Sequence, residues 1–235
     1  MSLFFNNPEV FTEEVIIDEL IDFFIAGTQT LAFSIQAMIC HFATDPTSLD
    51  RIRKELKETA QATRREQVLE STMQLETLGD LTYLGQVTME VLRYRPPAAT
   101  SSIIELSQDS KIGKYFIKAG DNIVINIEGL HFNTKEWQNP DKFYPLRFDP
   151  ADKAYFNQTG SKRNPGSYIP FLGGKRVCFG KTFAETNLKV IGSYLAMYFD
   201  YKMVDERFKQ DNFPVLHANM SKIVPILIDL RRHNE

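Results

Sequence analysis

The residues with the clearest chemical potential lie in the stretch FLGGKRVCFG, residues 171–180. Cys178 is predicted to begin the last long helix, where unpaired backbone N–H groups and the helix dipole stabilise a thiolate. Arg176 places a rigid guanidinium two residues from the sulfur, which suits pairing with a carboxylate. Three glycines remove side chains, so a large flat group can lie against the backbone. A lone cysteine is usually a small buried hydrophobe, but this combination predicts a haem whose iron is bound by cysteine.

The same stretch resembles the cytochrome P450 family of haem-thiolate monooxygenases, whose signature FxxGxRxCxG it matches at every fixed position. The resemblance implies that Cys178 is the iron ligand and that Arg176 pairs with a haem propionate. It also implies that Phe171 shields the sulfur on the proximal side. The five matched, cofactor-binding positions are Phe171, Gly174, Arg176, Cys178 and Gly180.

Two further segments resemble motifs of the family. Glu90 and Arg93 look like its ExxR pair, although composition alone predicts about one such pair, which could equally be a surface ion pair. In the family this pair binds an arginine of a PxRF segment, here Arg147, so the three residues are expected to form a structural cluster. Leu146 replaces the usual glutamate, and one polar contact is therefore expected to be absent. The stretch from His131 to Pro140 also fits the family.

The segment Ala26-Gly27-Thr28-Gln29-Thr30 resembles the family's distal-helix motif [A/G]Gx[D/E]T. Helical spacing places Ala26, Gly27 and Thr30 on one face. The resemblance implies that Ala26 and Gly27 flank the haem and that Gly27, Gln29 and Thr30 act in oxygen chemistry. Gln29 departs from the motif, because an amide cannot transfer protons as a carboxylic acid does. Without the cysteine signature, an ordinary buried helix with a back-bonding threonine would be preferred.

The resemblance implies a monooxygenase that binds haem b and O2, takes electrons from NADPH through a flavoprotein reductase, and hydroxylates a small lipophilic substrate. Gln29 leaves open a haem-thiolate peroxide isomerase or dehydratase, which needs no reductase. About half of a usual family member is missing upstream of the distal helix, so an inactive haem-binding fragment is the third alternative. The implied location is the cytosolic face of the endoplasmic reticulum membrane if the full-length form carries an N-terminal anchor; none is expected within this chain.

Composition agrees with a folded domain. The 235 residues are 43% hydrophobic and 24% charged, which excludes a disordered or low-complexity chain. Lys and Arg number 27 against 30 Asp and Glu, and this net charge of −3 argues against a nucleic-acid binder. Cys40 lies in an apolar helical pattern and is expected to be a packing residue. We take residues 1–235 as the C-terminal portion of a single haem-binding domain.

The first helix, predicted over residues 9–44 and ended by Asp45-Pro46, must carry the distal motif. Residues 23–44 contain no formally charged side chain when His41 is neutral. An uncharged stretch of this length can span a bilayer. Seven polar residues interrupt that stretch, and acidic residues continue the helical pattern upstream. A long buried helix in a water-soluble core is therefore favoured.

The remaining pattern predicts a mainly α fold with small β-sheets (α+β), the C-terminal half of the cytochrome P450 fold. Helices are predicted from Thr47 or Ser48 through residue 58, over Leu78–Tyr94 and over Leu188–Phe199, with residues 60–75 ambiguous. Short strands are predicted at 101–106, 114–117, 122–127 and 222–230. The segment 134–170 contains five prolines and no sustained period, which is typical of an irregular, functional stretch.

Overall fold

The structure, a computed structural model, describes residues 11–72, 74–204 and 228–233. Within these ranges helices predominate, and the strands form three two-stranded antiparallel sheets. This confirms the mainly α class with small sheets. The helices are α1 (Glu13–Thr44), α2 (Pro46–Ala60), α3 (Arg65–Thr72), α4 (Leu75–Asp80), α5 (Thr82–Tyr94), α6 (Ile127–His131) and α7 (Lys181–Tyr198). The strands are β1 (Ile104–Glu105), β2 (Ser110–Ile112), β3 (Tyr115–Ile117), β4 (Asn122–Ile123), β5 (Phe199–Met203) and β6 (Ile228–Arg232). Strand β1 pairs with β4, β2 with β3, and β5 with β6.

Helix α1 begins at Glu13, where the Thr12 hydroxyl accepts a hydrogen bond from the Val15 N–H at 3.4 Å. It ends at Thr44 because Asp45 leaves the helical region before Pro46 and then caps α2 through the Ser48 N–H at 2.9 Å. The predicted helical residues 9 and 10 lie outside the described part. Among the described residues, α1 alone has the length and hydropathy of a membrane span.

The burial of α1 differs in part from the expectation of a long buried helix in a water-soluble core, because only its second half is buried. Its buried side chains all lie in the second half, from Ser34 onward, and Phe42 is completely buried. The first half exposes large apolar side chains to solvent, with Phe24 72% exposed. The reason is packing: the second half lies against α7, α5 and β5, whereas the first half faces the candidate site described below.

The core lies where α1, α5 and α7 cross. A Cβ added at Gly192 of α7 would lie 2.8 Å from the Met38 sulfur of α1 and 3.3 Å from Leu84 of α5. The absent side chain therefore lets the three helix axes approach closely. Arg53 of α2 anchors the β5–β6 sheet to this core, since it donates to the Phe199 carbonyl at 2.8 Å and to the Asp200 carboxylate at 2.7 Å.

Several predicted bounds are wrong. The helix expected over Leu78–Tyr94 is two helices, because Leu81 leaves the helical region between α4 and α5. Helix α7 begins at Lys181 rather than Leu188. Its first two turns were missed because they are mainly polar, contain no buried residue and have no apolar period. The first three predicted strands are observed as β1, β3 and β4 and are shorter than expected, and the sequence pattern did not predict β2 or β5. The closing strand runs to Arg232, and its predicted residues 222–227 lie outside the described part. Segment 134–170 contains short 3-10 turns and one isolated bridge between Phe156 and Lys162, as its irregular pattern indicated.

Candidate functional site

The Cys178 loop is closed by its own backbone. The Cys178 N–H donates to the Phe171 carbonyl at 2.9 Å, and the Val177 N–H donates to the Gly174 carbonyl at 3.3 Å. Cys178 does not begin α7, as the sequence suggested, but lies two residues before its N-cap, Gly180. The thiol is exposed, so the loop presents its sulfur outward beside the start of a helix.

Two residues with positive φ, one on each side of Gly173, give this loop its shape. Leu172 has a φ of 59° and Gly174 a φ of 68°, both in the left-handed region. A Cβ added at Gly173 or Gly174 would meet nothing within 4 Å. Glycine at position 174 is therefore needed for its backbone conformation, and the space in front of both glycines is open to a bulky group.

Apolar side chains from α1 and the loop line the space around the thiol. The rings of Phe23 and Phe179 stack with centroids 5.6 Å apart, which joins the two walls at one edge. Phe179 is nevertheless 89% exposed, and Phe183 and Val177 are also exposed. Phe23 of α1 and Phe179 of the loop thus form one exposed apolar surface. Exposed apolar surface of this kind is typical of a binding site.

The distal-motif residues lie on the exposed half of α1. The Thr30 hydroxyl donates to the Ala26 carbonyl one turn earlier at 2.7 Å. Its oxygen therefore keeps lone pairs that can accept a hydrogen bond. Gly27 is half-buried, and a Cβ there would meet nothing within 4 Å. Gln29 is exposed.

The structure brings Glu90, Arg93 and Arg147 into one buried cluster. Arg93 donates twice to the Glu90 carboxylate, at 2.7 and 2.8 Å, and Arg147 donates to it at 3.2 Å. The side chains of Glu90 and Arg93 are completely buried and that of Arg147 is 2% exposed. The pair is therefore an element of the core, and the alternative of a surface ion pair is wrong.

Arg147 also binds the irregular segment that precedes it. Its guanidinium donates to the backbone carbonyls of Gln138 and Asn139, and to that of Lys142 at 2.9 Å. Burial lowers the pKa of Arg147, and the Glu90 carboxylate opposes that shift. Leu146, which stands where the family has a glutamate, packs against the hydrophobic core instead. The cluster thus binds the polar backbone of residues 138–142 to the core.

Sequence reasoning missed the role of His131, which it noted only as part of a stretch that fits the family. This side chain is completely buried, and both ring nitrogens lie within hydrogen-bond distance of backbone groups, Arg93 O at 3.1 Å and Ile169 N at 3.0 Å. Arg163 was missed as well: its guanidinium lies 4.2 Å from the centroid of the buried Trp137 ring. No local spacing signals either contact, because both join segments distant in sequence.

The donor set at this site suits a haem. Within the described ranges, no group of three or more His, Cys, Asp or Glu side chains could hold a bare metal ion. A single thiolate holds iron when a macrocycle supplies the other ligands. The open space before Gly27, Gly173 and Gly174 and the apolar walls match a flat apolar group. Arg176, exposed in the same loop, matches its carboxylates.

Comparison with known proteins gives one consistent result. The model of the cytochrome P450 family matches residues 3–226. The chain is 30% identical over 228 residues to cytochrome P450 71BT1 of Catharanthus roseus, covering 93% of this chain and 42% of that protein. It is 30% identical over 203 residues to steroid 17-alpha-hydroxylase/17,20 lyase of Equus caballus, covering 86% of this chain and 37% of that protein.

Among solved structures, the chain is similar to the retinoic acid bound cyanobacterial CYP120A1, with a TM-score of 0.69 and 26% identity. The match covers 88% of this chain and 44% of that protein. The chain thus spans about two fifths of the length of the relatives that it matches.

Proposed function

Because the chain belongs to the cytochrome P450 family, we propose that it forms the haem-thiolate part of a monooxygenase, with Cys178 as the iron ligand. The observation that carries this proposal is the contrast between the two cysteines. Cys178 is exposed in the glycine-rich loop beside an apolar surface, whereas Cys40 is buried in the core of α1. A thiol that must reach an iron atom has to be accessible before the cofactor binds.

The proximal residues have separate tasks in this proposal. Cys178 holds the iron, and the Cys178 N–H bond to Phe171 keeps the sulfur on the outer side of the loop. Arg176 neutralises a haem propionate, since its exposed guanidinium can form paired hydrogen bonds with a carboxylate. Gly174 and Gly180 keep the approach to the backbone open. When bound, haem b supplies the activation of O2, with electrons that a flavoprotein reductase takes from NADPH.

The distal residues have two tasks in this proposal: Ala26 and Gly27 leave room beside the helix, and Thr30 donates a proton. Gly27 and Ala26 leave room beside the helix because neither carries a large side chain. The Thr30 hydroxyl, bonded to the Ala26 carbonyl at 2.7 Å, can rotate and donate its proton to a ligand on the haem side. Gln29 cannot release a proton as an acid does, so we propose that water, rather than a neighbouring acid, reprotonates the Thr30 hydroxyl.

We propose a small lipophilic substrate. The surface beside the thiol is apolar, with Phe23 stacked on the exposed Phe179, and apolar walls of this kind bind apolar molecules. Two relatives support this class: one is named a steroid hydroxylase/lyase, and the solved structure of another holds retinoic acid. Because such molecules concentrate in membranes, we propose that the protein acts at the cytosolic face of the endoplasmic reticulum membrane.

The test is the absorption spectrum of the haem-reconstituted, reduced protein under carbon monoxide. We expect the thiolate-type spectrum for the unaltered chain and for Cys40→Ser, the matched control. Cys178→Ser should lose it, because a serine hydroxyl does not replace the thiolate. A thiolate-type spectrum in Cys178→Ser would overturn the assignment of the ligand.

Two specific observations favour second candidates. Gln29, an amide where the family has an acid, favours a haem-thiolate isomerase or dehydratase acting on peroxides. Comparing NADPH consumption in the presence of a reductase with turnover of an added hydroperoxide separates this from a monooxygenase.

The exposed walls favour a haem-binding unit that is inactive by itself, because haem retention depends on burying both faces. Weak equilibrium haem binding without turnover by this chain is the result expected of that candidate.

A further inference from the structure

We propose that His131 is the positioning residue that ties the Cys178 loop to the buried Glu90–Arg93 pair. The role of Cys178 as a ligand rests on the proposed function, but the tie itself is a property of the chain. His131 lies at the end of α6, far in sequence from both partners, and its side chain is completely buried.

The first half of the tie joins His131 to α5. The Arg93 guanidinium donates to the His131 carbonyl at 2.9 Å, while the His131 ring nitrogen Nδ1 lies 3.1 Å from the Arg93 carbonyl. The two residues thus make reciprocal hydrogen bonds, side chain to backbone in each direction. Because Arg93 is also held by Glu90 through two bonds, this half of the tie is rigid.

The second half joins His131 to the loop. The Ile169 N–H donates to the His131 ring nitrogen Nε2 at 3.0 Å. The Ile169 carbonyl accepts from the Leu172 N–H at 3.0 Å, and the Phe171 carbonyl accepts from the Cys178 N–H at 2.9 Å. Within the described residues, a run of hydrogen bonds and two short pieces of backbone therefore leads from the Glu90 carboxylate to Cys178.

The contacts determine which ring nitrogen carries the proton. A carbonyl can only accept, so Nδ1 must carry the hydrogen that faces Arg93, and an amide N–H can only donate, so Nε2 must be bare. Burial lowers the pKa of His131 to about 4, which keeps the ring neutral near pH 7. The Tyr168 ring stacks on His131 with centroids 5.4 Å apart and fixes its plane. The imidazole thus donates a hydrogen bond to the Arg93 carbonyl of α5 through Nδ1 and accepts one from the Ile169 N–H through Nε2.

A second anchor lies further from the cysteine. The Trp137 indole N–H lies within 3.3 Å of both the Leu130 and Ser167 carbonyls. It holds the chain four residues before Phe171, and it therefore orients the entry to the loop. His131 acts on Ile169, two residues before Phe171, and loss of its acceptor nitrogen should loosen the loop without releasing the entry.

Substituting His131 by asparagine or by glutamine tests the two halves of the tie separately. His131→Asn keeps an N–H near the position of Nδ1 and loses the acceptor for Ile169. His131→Gln keeps an acceptor near the position of Nε2 and loses the donor for Arg93. The measurement is amide hydrogen exchange of the full chain without haem, which reports local opening directly. We expect at least tenfold faster exchange at Ile169 and Cys178 in His131→Asn, with α5 amides changed less than twofold, and near-normal loop exchange in His131→Gln.

Unchanged exchange at Ile169 and Cys178 in His131→Asn would overturn the proposal, as would an equal acceleration in both variants. If reconstituted His131→Asn also converts from the thiolate-type to a non-thiolate spectrum faster than His131→Gln, the tie positions the ligand as proposed. Faster exchange in His131→Asn as expected, together with no thiolate-type spectrum in the unaltered chain, would support the tie and reject the proposed function instead. The two failures are therefore distinguishable.

Discussion

The Glu90 carboxylate lies 3.2 Å from the Arg147 guanidinium, although the two residues are 57 positions apart in the sequence. The same carboxylate oxygen accepts the Tyr144 N–H at 2.8 Å. One acidic side chain of α5 therefore organises the irregular segment 144–147 as well as its helical neighbour Arg93. The ionic cluster has a structural role, since it holds the backbone of residues 138–147 against α5.

Removing Glu90 should destabilise the protein strongly. Glu90→Ala leaves two buried guanidinium groups without their carboxylate, and we expect a loss of about 3–5 kcal/mol in the free energy of unfolding. The matched control is Glu58→Ala, which removes an exposed carboxylate 3.8 Å from Lys54 on the surface of α2. That change should cost ~0.5 kcal/mol or less. Urea unfolding of both variants is the measurement, and equal small effects would show that the buried cluster is dispensable.

Mild acid should destabilise the fold through two histidines. Burial lowers the pKa of His41 to about 3 and that of His131 to about 4, from 6.5 when unfolded. The unfolded chain therefore binds protons that the folded chain excludes, so the free energy of unfolding is highest above pH 6.5 and falls as the pH drops toward 4. Each histidine contributes at most about 1.4 kcal/mol per pH unit.

Urea unfolding between pH 7 and 5 measures this slope. In His131→Gln the contribution of one proton should disappear, and the slope should become shallower by that amount. Stability that does not change over this range, in either protein, would show that the folded state accepts both protons.

The two cysteines should differ sharply in reactivity. Burial raises the pKa of Cys40 to about 11, and its side chain is only 5% exposed. Cys178 is exposed, so iodoacetamide at pH 8 should label Cys178 in the folded chain and leave Cys40 unmodified. Mass spectrometry of the labelled peptides measures this, with labelling in urea as the control for both thiols. Equal labelling of Cys40 in the folded chain would contradict its burial in α1.

Adjacent glycines of the loop should respond differently to the same substitution. Gly174 has a φ of 68°, in the left-handed region, whereas Gly173 has a φ of −163°, which is extended backbone open to any residue. Gly174→Ala should cost about 1–2 kcal/mol, because a Cβ is disfavoured in the left-handed conformation. Gly173→Ala should be nearly neutral, since a Cβ meets nothing within 4 Å at either position. The free energies of unfolding of the two variants test this. An equal loss of stability in both would mean that the backbone conformation at position 174 does not determine the effect of the substitution.

What could be read from the sequence is what is encoded locally. The loop signature spans ten consecutive residues, so its residue types indicate a haem-thiolate site without knowledge of the rest of the chain. Helical spacing likewise placed Ala26 and Thr30 one turn apart, where the structure joins them by a hydrogen bond. The α class followed from apolar periodicity, which is also local. Periodicity gave no sign of the start of α7, because residues 181–187 are mainly polar and none of them is buried.

Only the tertiary structure decided which distant groups meet. Nothing in the spacing of residues 93, 131 and 169 predicts that one imidazole donates to α5 and accepts from the Cys178 loop. The half-exposed state of α1 was equally hidden, because an apolar sequence has the same pattern whether or not another segment covers it. The physical reason is that these contacts join side chains to backbone groups of irregular segments. Which groups meet depends on the path of the folded chain, and the periodicity of side chains does not predict that path.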